Sequence, residues 1–317
     1  MKSYKTRYLV TAILLMQSLI SNVSGNEGQS TTYDFAADPG RNYDVAEFRS
    51  WIPESPAPFQ AVLVLVSGWN WDGRPAINDS VWQSFATDHN LALVACYFKD
   101  KPSTTQVPEV YCNVSLGSGQ ALLDALNDFA NQSNHPEIAS APLLLWGMSA
   151  GGQFNYEFTA WKPDRVIAFI VNKGGFYHSA LLGPQARNVP GLLFTGEKDQ
   201  EFRQDIIKGL FATNNRAGAL WAFIEEPNTG HETGRSRELA LVFFDDMLRL
   251  RLAGKDQETN GRAELLPLSP ESGYLGDLES KTYSKIDKGA KAPDRPTAWL
   301  ATEQIALMWQ KIMLGNP

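Results

Sequence analysis

The stretch "APLLLWGMSAGGQFNY", residues 141–156, decides the fold. An apolar run stops at a glycine-rich turn, and a helix-like pattern follows it. One interpretation is a tight turn between a buried strand and a helix. The other is that the turn presents Ser149 as a nucleophile, because this serine stands between Gly147 and Gly151 in a Gly-x-Ser-x-Gly arrangement.

The context of the turn favours the second interpretation. A sharp strand-to-helix turn strains the serine backbone, so its neighbours must be small. Gly147, Ala150, Gly151 and Gly152 meet that requirement. The serine also precedes a helix, where free N–H groups and the helix dipole favour a developing oxyanion.

Apolar strand-like segments alternate with amphipathic segments along the chain. The strand-like segments include "YDVAEFRSWIPE" as an edge strand, "AVLVLV", "LALVACYF", "APLLLWGMS", "RVIAFIVNKG", "GLLFTG" and "LWAFIEEP". This alternation predicts an α/β fold, a mostly parallel sheet with helices on both faces. In such sheets ligands bind at the carboxyl edge of the strands.

A serine alcohol is a weak nucleophile and needs a base, which in turn needs an orienting carboxylate. Asp199 follows the strand in "LLFTGEKDQ", and His231 follows the strand in "FIEEPNTGHE". The chain order Ser149, Asp199, His231 and their positions after strand ends predict a catalytic triad at one edge of the sheet.

Each partner of the serine has an alternative interpretation. Asp199 is also a suitable cap for the helix that follows it, and Glu197 is a rival acid in the same turn. His231 could be an exposed loop histidine. His178 is a rival base, but it precedes the acid and breaks the expected chain order.

An oxyanion hole needs two N–H donors that point at one position. We expect the backbone N–H groups of Ala150 and Trp69 to supply them, although the loop after "AVLVLV" could be a simple turn with an aromatic lid. Trp71, Asp72 and Arg74 are candidate substrate-binding residues, because Trp and Arg suit an aromatic, sugar-like or acidic group. Packing within the loop is the alternative role for these three.

Composition excludes some classes of function. The chain has 317 residues, a net charge of −7 and no basic run, which argues against a nucleic-acid partner. Its four histidines and two cysteines form no cluster with metal-ligand spacing, so we predict no metal. Cys96 and Cys112 could form a disulfide or remain buried thiols, since spacing alone does not decide.

The N-terminus has the features of a signal peptide. Residues 1–25 contain the basic "MKSYKTR", the apolar "YLVTAILLMQSLI" and a small-residue segment, which predicts cleavage after Gly25. An uncleaved anchor is the alternative, but the apolar run is short for a span of about 20 residues. We therefore expect an exported protein, periplasmic or secreted, without a stable membrane anchor.

The remaining chain divides into three predicted parts. Residues 26–42 are polar and expected to be loose, and residues 43–254 form the main domain. Residues 255–317 are expected to be an extended arm that ends in the helix "AWLATEQIALMWQKIML", packed on the main domain; disorder of the arm is the alternative.

Residues from about 43 to 252 resemble the α/β-hydrolase superfamily, through the elbow "GMSAGG", the acid turn "TGEKD" and the histidine loop "TGHE". Ser-Ala-Gly-Gly in an exported chain is similar to secreted esterases related to polyhydroxybutyrate depolymerases and feruloyl esterases. The resemblance implies an α/β-hydrolase fold with a mostly parallel sheet of about eight strands and a cofactor-free acyl-enzyme mechanism at Ser149, Asp199 and His231. Ser67 is a departure, since many relatives have histidine there.

The residues and the resemblance together predict an exported serine hydrolase that acts on small-molecule or polymeric carboxylic esters. Two alternatives stay open. One is a serine peptidase of the prolyl-peptidase type, and the other is a non-catalytic protein that binds a glycan or polymer.

Overall fold

The computed structural model describes residues 30–101, 109–252, 258–259, 262–263, 265–287, 289 and 294–317. The predicted signal peptide and its cleavage position lie outside the described residues. Within the described ranges, no helix has both the length and the apolar character needed to cross a membrane.

The described chain is built on an eight-stranded sheet of order β1-β2-β4-β3-β5-β6-β7-β8. β1 and β2 are antiparallel to their neighbours, and the pairs from β4 to β8 are parallel. The strands are β1 Ser30–Ala37, β2 Tyr43–Pro53, β3 Ala61–Val66, β4 Leu91–Asp100, β5 Leu143–Met148, β6 Val166–Asn172, β7 Gly191–Gly196 and β8 Trp221–Glu226.

Apolar side chains on both faces of the sheet explain why the helices cover both faces. All six residues of β3 are buried; Val62 and Val64 belong to one core, and Leu63 and Leu65 to the other.

The helices are α1 Ser80–Asp88, α2 Ser118–Ser133, α3 Ala150–Trp161, α4 Pro184–Arg187, α5 Glu201–Arg216, α6 Ser236–Arg251 and α7 Glu303–Met313, with 3-10 turns at Arg74–Asn78, Val110–Cys112, Val114–Leu116, Pro136–Ala139 and Pro163–Arg165.

The N-terminal segment corrects one expectation. Residues 26–42 were expected to be loose, yet Ser30–Ala37 form the edge strand β1, paired with β2 along its whole length. Backbone pairing and the contact between the rings of Phe35 and Phe48, with centroids 6.2 Å apart, hold this polar strand. β2 is therefore the second strand of the sheet, although the sequence predicted it at the edge.

The region after α6 is more regular than an extended arm. It contains β9 Glu258–Thr259 paired with β10 Arg262–Ala263, and a sheet of order β12-β11-β13 made by β11 Tyr274–Asp277, β12 Thr282–Lys285 and β13 Thr297–Leu300. α7 packs on the main domain: Trp309 is fully buried, and its indole N–H donates to the carbonyl of Phe223 on β8 at 2.8 Å. Gly276 leaves room for that indole, since a Cβ there would lie 2.8 Å from it.

Candidate active site

Ser149 occupies a strained elbow between β5 and α3. Its φ of 56° and ψ of −124° lie where a residue with a side chain rarely occurs. A Cβ on Gly147 would lie 2.3 Å from the carbonyl oxygen of Gly151, and a Cβ on Gly151 would lie 2.0 Å from that of Val66. The glycines of the motif are therefore a steric requirement of the elbow.

The neighbouring strand fixes the elbow from the other side. The Ser149 N–H donates to the carbonyl of Asn172, the last residue of β6, at 2.7 Å. A Cβ on Gly152 would lie 3.0 Å from the Asn172 nitrogen, so the first turn of α3 also lies close against β6. These contacts place the serine hydroxyl at the carboxyl edge of the parallel strands.

The structure brings the three residues of the predicted triad together. His231 Nε2 lies 3.0 Å from Ser149 Oγ, and His231 Nδ1 lies 2.8 Å from Asp199 Oδ2. With Nδ1 donating to the carboxylate, Nε2 is free to accept the serine hydroxyl proton. The Asp199 side chain is 2% exposed and the His231 side chain 35%, so the imidazole lies between a buried carboxylate and the solvent.

The acid turn and the histidine loop pack backbone against backbone. Lys198 N–H donates to the carbonyl of Thr229 at 2.9 Å, and Asp199 N–H donates to that of Gly196 at 3.0 Å. A Cβ on Gly196 would lie 2.4 Å from the Thr229 carbonyl oxygen. This glycine therefore allows the approach that brings Asp199 to His231.

The rival residues have other contacts. Glu197 is exposed, and its carboxylate accepts the Asn228 N–H at 2.7 Å, which shapes the histidine loop. His178 is exposed, and its backbone N–H donates to buried Glu157 at 2.7 Å. Within the described chain neither rival contacts Ser149.

The loop after β3 lies beside the nucleophile. A Cβ on Gly68 would lie 3.6 Å from the Cβ of Ser149. The Trp69 indole donates to Asp100 Oδ2 at 2.6 Å, and the Asn70 side chain accepts the Asp100 N–H at 2.8 Å, so the end of β4 anchors this loop. In the part of the chain that the structure describes, neither the Trp69 N–H nor the Ala150 N–H donates to a protein acceptor. Their role as oxyanion donors stays a prediction.

Two of the candidate substrate-binding residues are paired with each other. The Arg74 guanidinium donates to Asp72 at 2.9 and 2.7 Å, lies 2.6 Å from Glu47 and stacks over the Tyr97 ring. Arg74 holds the pKa of Asp72 below its usual value. These contacts favour the loop-packing alternative for Asp72 and Arg74, whereas Trp71 is 73% exposed; a binding role for the three stays a prediction.

Sequence analysis did not single out a buried polar pair beside the elbow. Glu109 is 3% exposed, and its carboxylate accepts a hydrogen bond from Gln153 on the first turn of α3. The other side of the Gln153 amide accepts the Gly175 N–H at 2.6 Å. Burial raises the pKa of Glu109, while Gln153 and the positive charge of Arg203 act in the opposite direction.

Three further polar residues at strand ends were also missed. Asn172 and Lys173 follow the apolar run of β6, and Glu226 ends β8; all three are buried. The available signal was the presence of polar residues at the carboxyl ends of otherwise apolar strands, where α/β sheets place their sites.

The cysteines are not bonded to each other. Cys96 and Cys112 are free and buried, which settles the alternative left open above, and burial raises the pKa of both thiols. Among the described residues, no group of three or more His, Cys, Asp or Glu side chains is placed to hold a metal ion.

Comparisons with known proteins show the fold. No family model matches the sequence, and no curated protein does. The structure is similar to a ferulic acid esterase, at 11% identity over 70% of this chain and 99% of the other, with a TM-score of 0.50. It is also similar to the LpqC poly(3-hydroxybutyrate) depolymerase of Bordetella parapertussis, at 18% identity over 70% and 91%, with a TM-score of 0.50. The expected α/β-hydrolase fold is confirmed.

Proposed function

We propose that this protein is a serine hydrolase that cleaves carboxylic esters through an acyl-enzyme intermediate. The observation that supports it is the unbroken line of contacts from Asp199 through His231 to Ser149, at 2.8 and 3.0 Å, on a strained strand-to-helix elbow. A simple turn has no physical need for this arrangement.

In the proposed acylation step, Ser149 Oγ attacks the ester carbonyl carbon while His231 Nε2 takes the hydroxyl proton. Asp199 accepts the hydrogen bond from Nδ1–H and stabilises the imidazolium that forms. The N–H groups of Ala150 and Trp69 bind the oxyanion of the tetrahedral intermediate. His231 then returns the proton to the leaving alcohol as the carbon–oxygen bond of the ester breaks.

Deacylation repeats the sequence with water. His231 removes a proton from the water that attacks the acyl carbonyl, and the same two N–H groups bind the second oxyanion. Collapse of that intermediate releases the acid and returns the proton to Ser149. The cycle uses no cofactor.

The mouth of the site supports a bulky substrate. Exposed aromatic side chains follow three of the parallel strands at the carboxyl edge: Trp69 and Trp71 after β3, Phe176 after β6 and Phe202 after β7. The segment between β6 and β7 holds one short helix, Pro184–Arg187. We therefore propose that aromatic or polymeric esters outside the cytoplasm are the substrates; the two similar structures are named for ferulic acid and for poly(3-hydroxybutyrate).

Labelling with a fluorophosphonate probe tests the proposed chemistry without a guess at the substrate. Wild type should be labelled at Ser149, and Ser149→Ala and His231→Ala should not be, since only an activated serine reacts. His178→Ala is the matched control and should be labelled like wild type, because the His178 imidazole lies outside the line of contacts. A folded wild type that resists the probe would show that the site is not a working hydrolase.

A matched pair of substrates separates an esterase from a peptidase. An aryl ester and an anilide with the same acyl group differ only in the leaving group. We expect turnover of the ester and little of the anilide. Faster turnover of peptide anilides would instead support the peptidase alternative, and binding without turnover, unchanged in Ser149→Ala, would support a binding protein.

A further inference from the structure

A buried ion pair lies behind the three residues of the site. Lys173 directly follows β6 and Glu226 ends β8, and their side chains, 0% and 2% exposed, contact each other through Nζ and Oε2. Because β7 lies between these strands, the lysine side chain must pass over the end of β7. Gly196 leaves the space for it, since a Cβ there would lie 3.0 Å from Lys173 Cε.

The Glu226 carboxylate holds the segment that follows His231. Its second oxygen, Oε1, accepts the Arg235 N–H at 2.5 Å. Gly234 has a φ of 54°, and a Cβ on it would lie 2.5 Å from both carboxylate oxygens. The loop therefore closes directly onto the carboxylate, and the backbone just after His231 is bound to a buried charge.

Asn172 connects the same ion pair to the nucleophile. Its side-chain oxygen accepts a hydrogen bond from Lys173 Nζ at 3.0 Å, and its side-chain NH₂ donates to the Thr233 carbonyl at 3.0 Å. Its backbone carbonyl accepts the Ser149 N–H at 2.7 Å. This buried group of residues thus touches the elbow through the backbone of Asn172 and the histidine loop through side chains.

Stability alone does not account for this ion pair. Taking two charges out of water costs free energy, and replacing a buried pair by uncharged groups of similar size is often neutral or stabilising. A buried ion pair instead favours one geometry, because the two charged groups must lie in contact. The groups that are hydrogen-bonded to the pair, Asn172 and the Arg235 N–H, are then held in place as well.

We propose that Lys173 and Glu226 are positioning residues that set the distance and orientation of His231 relative to Ser149. Lys173 acts through Asn172 on the elbow, and Glu226 acts through Arg235 on the histidine loop. The expected loss of reaction rate rests on the proposed function. The position of His231 can be followed without catalysis, through the proton resonance of its Nδ1–H group.

The test is the double variant Lys173→Met/Glu226→Gln. It keeps the approximate size of both side chains and leaves neither charge unpaired, whereas each single variant leaves one buried charge without its partner. The matched control is Lys208→Met/Glu225→Gln. It removes a half-exposed ion pair with Lys208 Nζ 2.7 Å from Glu225 Oε1, and Glu225 directly precedes Glu226 on β8.

Three measurements are made on both double variants and on wild type. They are the midpoint of thermal unfolding, the rate of fluorophosphonate labelling with kcat and KM on an aryl ester, and the downfield proton resonance of His231 Nδ1–H. We expect the Lys173/Glu226 double variant to unfold near the wild-type temperature, while labelling and kcat fall by about 10- to 100-fold, as expected for a displaced reacting group, with KM nearly unchanged. The Nδ1–H resonance should shift or broaden, and the control should match wild type in every measurement.

A labelling rate and an Nδ1–H resonance equal to wild type in the Lys173/Glu226 double variant would overturn the proposal. If that variant does not fold, Glu226→Asp decides instead: it keeps both charges but shortens the reach of the carboxylate, and unchanged labelling would overturn the proposal there. If wild type itself is not labelled, yet its Nδ1–H resonance is lost only in the Lys173/Glu226 variant, the proposed function fails and the positioning role stands.

Discussion

The elbow at Ser149 and the loop that holds His231 are fixed by different physical means. At the elbow, backbone atoms approach so closely that no side chain fits: Cβ atoms on Gly147 and Gly151 would lie 2.3 and 2.0 Å from carbonyl oxygens. The elbow conformation therefore requires residues without a side chain at these two positions, and neither pH nor salt changes that steric requirement.

The histidine loop depends in addition on two carboxylates, one in the acid turn after β7 and one at the end of β8. Glu197 accepts the N–H of Asn228 before the histidine, and Glu226 accepts that of Arg235 after it. We therefore expect an added methyl group to be the main way to disrupt the elbow. The histidine loop also contains closely packed glycines, Gly196 beneath it and Gly234 within it, but it should respond to a changed charge as well.

The largest effect is expected from Gly151→Ala. Its Cβ would meet the carbonyl oxygen of Val66 at 2.0 Å, so the elbow must move away from β3. A displacement of about 1 Å is enough to cost roughly 100-fold in rate, and overpacking also destabilises by about 1–3 kcal/mol. The labelling rate of Ser149 and the unfolding midpoint measure both effects.

Gly209→Ala is the matched control for that substitution. Gly209 lies on the exposed face of α5, and apart from the local helix backbone no atom lies within 4 Å of the position of a new Cβ. Alanine there should leave labelling unchanged and stabilise the helix by about 0.5–1 kcal/mol. Equal labelling of Gly151→Ala and Gly209→Ala would show that the close approach at the elbow is not needed.

A smaller effect is expected from Asp100→Asn, because Asp100 anchors the loop after β3, whose Trp69 N–H is a predicted oxyanion donor. Asp100 accepts the Trp69 indole N–H at 2.6 Å and the backbone N–H groups of Glu109 and Tyr111 at 2.6 and 3.2 Å. An amide presents only one acceptor atom, so part of this set is lost. Removing an oxyanion donor costs about 100- to 1,000-fold, and loosening one should cost less, about 10-fold in kcat.

The surface variant Asp34→Asn serves as the control for Asp100→Asn, since Asp34 on the edge strand β1 forms a partly exposed ion pair with Arg49 on β2. It should leave kcat unchanged. If Asp100→Asn also leaves kcat unchanged, the Trp69 loop does not need its anchor on β4, and the assignment of Trp69 as an oxyanion donor loses its support.

The same contrast explains what the sequence could predict. Steric requirements leave a local signature, so the glycines around Ser149 could be predicted from the sequence alone. The positions of Asp199 and His231 after strand ends could be predicted as well, while their roles as acid and base stay predictions. The buried strands from β3 to β8 could also be predicted from the sequence, because their residues are apolar on both faces.

Long-range polar contacts leave a weaker signature. Polar residues at the ends of β6 and β8 indicated a site, but the sequence did not show that Asn172, Lys173 and Glu226 are buried together, because their contacts join distant parts of the chain. β1 was missed because its apolar alternation is short, limited to the partly buried Tyr33, Phe35 and Ala37, and because its pairing with β2 is a backbone interaction.

The smallest expected effect concerns Glu109, a buried carboxylate beside the elbow. Burial raises its pKa above the usual 4.5, so the folded protein holds this proton more tightly than the unfolded chain does. The contribution of Glu109 to stability is therefore fully present below about pH 4.5 and declines as the pH rises through the raised pKa. Glu109→Gln removes this titration and keeps an oxygen that can accept the hydrogen bond of Gln153.

Thermal unfolding of wild type and Glu109→Gln between about pH 4 and 8 measures that contribution. At the acid end the two midpoints should agree, and towards neutral pH the variant should become the more stable protein. A variant that is less stable at neutral pH would mean that Gln153 and the charge of Arg203 outweigh the cost of burial. Glu109 would then stabilise the site as a carboxylate, and the elbow would depend on a buried charge in the same way as the histidine loop does.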